Sequence, residues 1–128
     1  PFEDLSRYLL KVTSLPAGNF RVSVDGKEFG TYPQEQLAEG VNLTQAALTG
    51  LPEVQDLLVA IMAKNQLFYA RWRTVQLFEF PDWVAAETVE PARQAKLKDL
   101  DAKIVEAEVA VNGLRKPKPH QWTVQRVP

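Results

Sequence analysis

One histidine, three serines and no cysteine make up the nucleophile-and-base inventory of this 128-residue chain. Hydrolysis through a covalent intermediate needs a Ser, Thr or Cys beside a His that a carboxylate orients, with donors placed for the oxyanion. Ser6, Ser14 and Ser23 all stand outside any glycine-bearing elbow, and His120 follows the proline-rich tract Lys116-Pro117-Lys118-Pro119. A triad within the chain is therefore not expected, and His120 reads as a linker or strand-edge residue. A transition-metal site would have to be built from carboxylates, and Glu106 and Glu108 are two apart, a spacing that cannot share a helix face. No metal and no cofactor are expected. Asp25-Gly26-Lys27 lacks the repeated oxygen ligands of a calcium loop and the further glycines of a phosphate cradle, so it reads as a turn. A carboxylate pair for glycoside chemistry would be a property of the fold and not of spacing in sequence.

The stretch with the most unusual side chains is Asn65-Gln66-Leu67-Phe68-Tyr69-Ala70-Arg71-Trp72-Arg73-Thr74, with three aromatics, two guanidiniums and two amides in about three helical turns. Arg71 and Arg73 could present planar donors to a carboxylate, with Tyr69 and Trp72 as stacking surfaces. Alternatively the aromatics are core knobs, and the arginines pair with acids on a sheet or a neighbouring domain while their stems cover apolar surface. A contact between domains joins the two readings, because Arg with aromatics is enriched there.

The elements that would carry these residues follow from periodicity. Tyr8, Leu10 and Val12 alternate with Leu9 and Lys11, and Phe20, Val22 and Val24 with Arg21 and Ser23, on either side of Leu15-Pro16-Ala17-Gly18-Asn19, which predicts a hairpin. Asp25-Gly26 predicts a second tight turn, with Lys27 to Tyr32 as a third strand and Phe29 facing the core, completing a meander. Pro33 to Ala38 reads as a short helix stopped by Gly40, followed by extended Val41-Asn42-Leu43. From Pro52 to about Phe78, Val54, Leu58, Ile61, Phe68, Trp72 and Val75 form a helical stripe. Leu97, Leu100, Ile104, Ala107 and Val111 form another from Pro91 to Asn112, with an Asp99–Lys103 pair and Gly113 as the cap. Two such stripes joined by a short connection predict an antiparallel helical hairpin. Trp122, Val124 and Val127 predict a last strand.

Fifteen basic against sixteen acidic residues leave a formal charge of −1, which provides no field for a polyanion or an anionic membrane. Neither nucleic acid nor a membrane is an expected partner, and no window reaches the ~18 consecutive apolar residues of a membrane span. The fold class is α+β: one domain over residues 1–128, with a meander and short helix over 1–45, a helical hairpin over 50–114, and a linker and final strand over 115–128. The sheet of three to four antiparallel strands would pack on the hairpin.

Several ordered blocks carry a family resemblance: Leu10 to Phe20, Val24-Asp25-Gly26-Lys27, Gly30-Thr31-Tyr32, Leu37-Ala38-Glu39-Gly40-Val41-Asn42-Leu43, and Phe68 to Thr74. Together they resemble the C-terminal region of certain bacterial GDSL-type (SGNH) hydrolases, over nearly the whole chain. In that family an α/β catalytic domain comes first. The family's Gly-Asp-Ser and Gly-x-Asn-Asp blocks have no counterpart here, and the place three before His120, where its Asp-x-x-His block needs Asp, is Pro117.

The resemblance thus implies a non-catalytic accessory domain of a secreted or periplasmic esterase. Such a domain would dock on an SGNH catalytic domain, upstream in the same polypeptide or in a companion chain, or shape its cleft. A chain opening on Pro1 and entering a strand pattern within a few residues fits a segment whose parent begins upstream. The candidate contact residues are Arg71, Trp72, Arg73, Tyr69, Asn65 and Asn42. Two other classes stay open: a free-standing interaction or homo-oligomerisation module, and a carbohydrate-binding module using Trp72, Trp83 or Trp122.

Overall fold

The computed structural model describes residues 5–128. The elements run β1 (Leu9–Leu10), β2 (Asn19–Val24), β3 (Lys27–Pro33), α1 (Gln34–Glu39), β4 (Val41–Asn42), α2 (Thr44–Gly50), α3 (Pro52–Tyr69) continuing as a π-helical segment (Ala70–Gln76), α4 (Ala86–Leu114) and β5 (Trp122–Val127). The class is α+β with small antiparallel sheets. The chain divides into two compact units, Pro1–Gln55 with Pro117–Pro128, and Asp56–Lys116.

The first unit is built on β2. Its alternation buries Phe20, Val22 and Val24 and leaves Arg21 exposed, as a two-residue period requires. Asp25 and Gly26 both take positive φ, 50° and 82°, the conformation of the tight turn expected there. Val24 then pairs with Lys27, and the register slips by one residue between Val22 and Ser23. The slip leaves Phe29 as the extra residue, and its ring is buried.

On its other edge β2 pairs antiparallel with β5, Val24 opposite Trp122 and Asn19 opposite Val127, so the sheet order is β3-β2-β5. This corrects the meander. The expected first strand is only Leu9–Leu10, and it pairs with β4, not with β2. Ser14 at φ 67° ends any extended run before the presumed turn, and Val12 gives its N–H to the Leu37 carbonyl at the end of α1. Alternation marked Leu10 and Val12 correctly as core-packed, but it carries no information on which strand is the partner.

α1 follows Pro33 and ends at Gly40, whose φ of 116° suits glycine. It buries Leu37, while α2, absent from the sequence reading, buries Ala47. The glycine ending α2 is there for space: a Cβ on Gly50 would stand 2.6 Å from the Phe29 ring. The core cluster is Phe20, Val22, Val24, Phe29, Leu37, Leu43, Ala47 and Leu51. Each of the larger side chains contributes about 1.5–3 kcal/mol on burial.

In the second unit, α4 begins at Ala86, five residues before the expected start, with Pro91 inside it. Pro91 falls in the second turn, where it forfeits a single backbone bond near the helix end. Gly113 is helical rather than a cap, and the helix closes one residue later, with Arg115 donating to the Val111 carbonyl at 3.0 Å. Leu100 and Ile104 of the expected stripe are buried, and Lys103 reaches Asp99 at 2.9 Å. α3, by contrast, has no fully buried residue.

Candidate functional site

Two arrangements of polar side chains stand out, one in each unit. The first is the Arg71 region. Over Ala70–Gln76 the helix widens to π geometry, and Leu77 donates to the Trp72 carbonyl at 2.9 Å, an i to i+5 bond. Widening brings residues five apart onto one face, so the Arg71 guanidinium donates to Gln76 Oε1 at 2.7 Å. Arg71 also forks onto Asp101 of α4, its Nε on Oδ1 and its Nη2 on Oδ2 at 3.3 Å. The bidentate pair raises the Arg71 pKa, the hydrogen bond to Asp101 being the main cause, and lowers that of Asp101.

The partner expected on a sheet or a neighbouring domain is thus a residue of the second helix. Arg73 stacks over the Trp72 ring at 4.6 Å, while Trp72 remains half exposed and Tyr69 more so. Asn65 is exposed on α3. Five of the six candidate contact residues therefore lie on one continuous helical stretch.

The sixth, Asn42, belongs to the first unit and to its internal wiring. Its amide donates to Ser6 O at 3.0 Å, and its Oδ1 accepts from Tyr8 N–H at 3.2 Å and from Thr44 N–H at 3.1 Å. Asn42 thereby pins the β1–β4 pair to the start of α2.

The second arrangement escaped the sequence reading. His120 lies between two carboxylates: Nδ1 is 2.7 Å from Asp25 Oδ2, and Nε2 is 2.6 Å from Glu53 Oε1. Asp25 is 95 residues away, in the β2–β3 turn, and Glu53 is in the first turn of α3. The Asp25 contact is a directed hydrogen bond. The Glu53 contact is an ion pair, and Glu53 Oε1 is buried without a hydrogen-bond partner.

Asp25 also accepts from Gln121 N–H at 2.8 Å, and its own N–H donates to the Gln121 carbonyl at 2.9 Å. The hydrogen bond from Gln121 and then that from His120 hold the Asp25 carboxyl below its usual range. The hydrogen bond to Asp25, chiefly, raises His120 above the usual imidazole value, against desolvation. The His120 side chain is 15% exposed.

With carboxylates on both ring nitrogens, the imidazole has no free lone pair to act as a general base. Sequence could not find the cluster, because no short-range spacing links Asp25, Glu53 and His120; the only local signal was an Asp in a turn that its backbone already explained.

Among the described residues no group of three or more His, Cys, Asp or Glu could hold a metal ion. No single helix among them is long and apolar enough to cross a membrane. Trp122 is not free for stacking on a ligand, as its ring packs at 6.1 Å from both Tyr8 and Phe29. Trp83 is the most exposed tryptophan.

No protein-family model matches the sequence, and no curated protein matches it. Among solved structures the chain is similar to a gut microbial diltiazem-metabolizing enzyme, with a TM-score of 0.67 at 18% sequence identity. The match covers 99% of this chain and 35% of that one, so the chain spans about a third of that enzyme's length. At this identity the likeness shows the fold alone.

Proposed function

We propose that this chain is a non-catalytic accessory domain of an SGNH/GDSL-type acyl ester hydrolase, docking on the catalytic domain through the α3 face that carries Trp72 and Arg73. The observation that carries the reading is the π-helical segment Ala70–Gln76. It overlaps the Phe68–Thr74 block that resembles the family's tail, and it carries a half-exposed Trp–Arg stack next to the Arg71–Asp101 fork. π-helical turns are rare and concentrate at functional sites, and Trp and Arg are the residues most enriched among binding hot spots. The likeness to about a third of a larger enzyme's chain supports a domain that works beside another. In this reading α3 with its π-helical end and α4 form an antiparallel two-helix hairpin that presents the docking face. The parent enzyme is secreted or periplasmic.

The coding sequence upstream of Pro1 tests the proposal: a Gly-Asp-Ser block followed by Asp-x-x-His supports it, and an unrelated or absent domain removes it. The isolated chain should not turn over a short acyl ester. Turnover that persists in His120→Ala would end the non-catalytic reading.

A second reading has its own support. Leu58, Val59 and Met62 are exposed on α3, which favours a free-standing module that self-associates through this helix. Sizing chromatography separates the two, since a monomer with an apolar face fits the docking role and a compact dimer fits the module. A carbohydrate-binding role would rest on the exposed Trp83 and on Trp72, one face of which Arg73 covers, and tryptophan quenching by oligosaccharides would have to reveal it.

A further inference from the structure

The His120 cluster ties together three segments that are far apart in sequence: the β2–β3 turn through Asp25, the start of α3 through Glu53, and the chain leading into β5 through His120 and Gln121. β5 is an edge strand, held to the sheet only along β2. Its first residue, Trp122, pairs with Val24 directly beside the cluster. Beyond that ladder the leading end is held by the Trp122 ring against Tyr8 and Phe29 and by the Asp25–Gln121 backbone bond, while the prolines before it have no N–H to give and prefer extended backbone.

A neutral imidazole has one N–H and one lone pair. Held between two carboxylates, the neutral ring must therefore turn a lone pair toward an anionic oxygen, whereas the imidazolium donates to Asp25 and sets its positive charge against Glu53. The charged and titratable groups facing the ring are Asp25 from the turn and Glu53 from α3. Lys27, next in the turn, is directed to the Thr49 carbonyl, and Lys118 on the ring's own segment is exposed.

We propose that His120 is a proton-operated clasp on the C-terminal strand: as the imidazolium it fastens the entry of β5 to the β2–β3 turn and to α3, and loss of its proton to solvent base frees residues 117–123 to open. The direction follows from linkage. A group whose pKa is raised on folding contributes fully below its ordinary value, near 6.5, and loses that contribution as pH rises through the raised value. The clasp is closed while the ring carries its proton and opens as pH rises through the raised value.

The chain has one histidine, so its ring resonances report the clasp without assignment ambiguity. The experiment follows those resonances, together with protection factors for the Gln121, Trp122 and Thr123 amides, from about pH 5.5 to about pH 9, a window that brackets histidine titration. The expected result is a ring midpoint above that of a free imidazole, and a several-fold loss of amide protection that tracks the ring titration while Phe20 and Val22 stay protected. Glu53→Gln should move the midpoint down, and His120→Gln should show low, pH-independent protection at the same three amides. A midpoint at or below that of free imidazole overturns the proposal, as does protection of the three amides that ignores the titration. Both readings come from the unmodified chain, so they hold even if His120→Gln fails to fold.

Discussion

The two units of this chain treat apolar residues in opposite ways. In the first, three consecutive inward positions of β2 are buried with Phe29, Leu37, Leu43, Ala47 and Leu51, and Leu37 and Val22 have no exposed surface at all. In the second, Leu100 and Ile104 are the buried residues, while Met62, Phe68, Tyr69, Trp72, Phe78 and Trp83 all stand substantially exposed. An ordinary surface carries scattered apolar residues, but several large ones along one helix mark a face meant for something else. The difference teaches where to look for each kind of role. The sheet unit is organised to hold itself together, and the helical unit spends its apolar residues on its surface.

The largest effect that could break this comparison is in the sheet unit. Leu37→Ala should cost about 2–5 kcal/mol in denaturant unfolding, whereas Met62→Ala on α3 should cost under about 1 kcal/mol. Equal losses would mean that α3 is packed as tightly as the core. Next is Gly30, at φ 151°, where a Cβ would stand 2.5 Å from the Tyr32 hydroxyl. Gly30→Ala should lower stability by about 1–3 kcal/mol, from backbone strain and displacement of the tyrosine.

A smaller effect divides the units by pH. Asp25, Asp99 and Asp101 are all held below the usual carboxylate value of 3.8 by their hydrogen bonds, so each contributes stability above that pH that is lost as pH falls through its depressed value. Asp101→Asn should flatten the acid limb of a pH–stability curve, and it should act on the helical unit while leaving sheet amides protected. The smallest effect on stability is expected at Trp72. Trp72→Ala should shift the isolated chain by about 1 kcal/mol or less, and under the proposed docking role it should weaken binding to a catalytic domain by about 2 kcal/mol or more. Unchanged binding would remove Trp72 from the docking face and sharpen the search toward Phe78 and Trp83.

Much of the fold was legible. The alternation at Phe20, Val22 and Val24, the Asp25-Gly26 turn, the stop at Gly40, the long helix from Pro52 and the strand at Trp122 are all encoded by neighbours within a few residues. So was the Asp99–Lys103 pair, because its spacing lies within one helical turn. The helix containing Pro91 was misplaced because proline's cost depends on its position in a helix that the sequence does not delimit. Arg71 was singled out correctly as a residue needing a partner, but Asp101 was invisible as that partner until the helices were placed.

Sequence alone determined much of the local grammar: the β2 strand and its turn, the long helices, and which of their faces are apolar, but not the helix Thr44–Gly50 or the shortness of β1. Those properties depend on spacings of two to four residues, the range over which backbone periodicity acts. Only the tertiary structure decided that β2 takes β5 and not β1 as its second neighbour, that a π-helical turn sets Arg71 beside Gln76, and that the one histidine lies between Asp25 and Glu53. Strand pairing and ion pairs are contacts between distant positions, such as Asn19 with Val127 and Asp25 with His120, and no local pattern specifies which distant group will arrive. The placement of His120 therefore belongs to the fold.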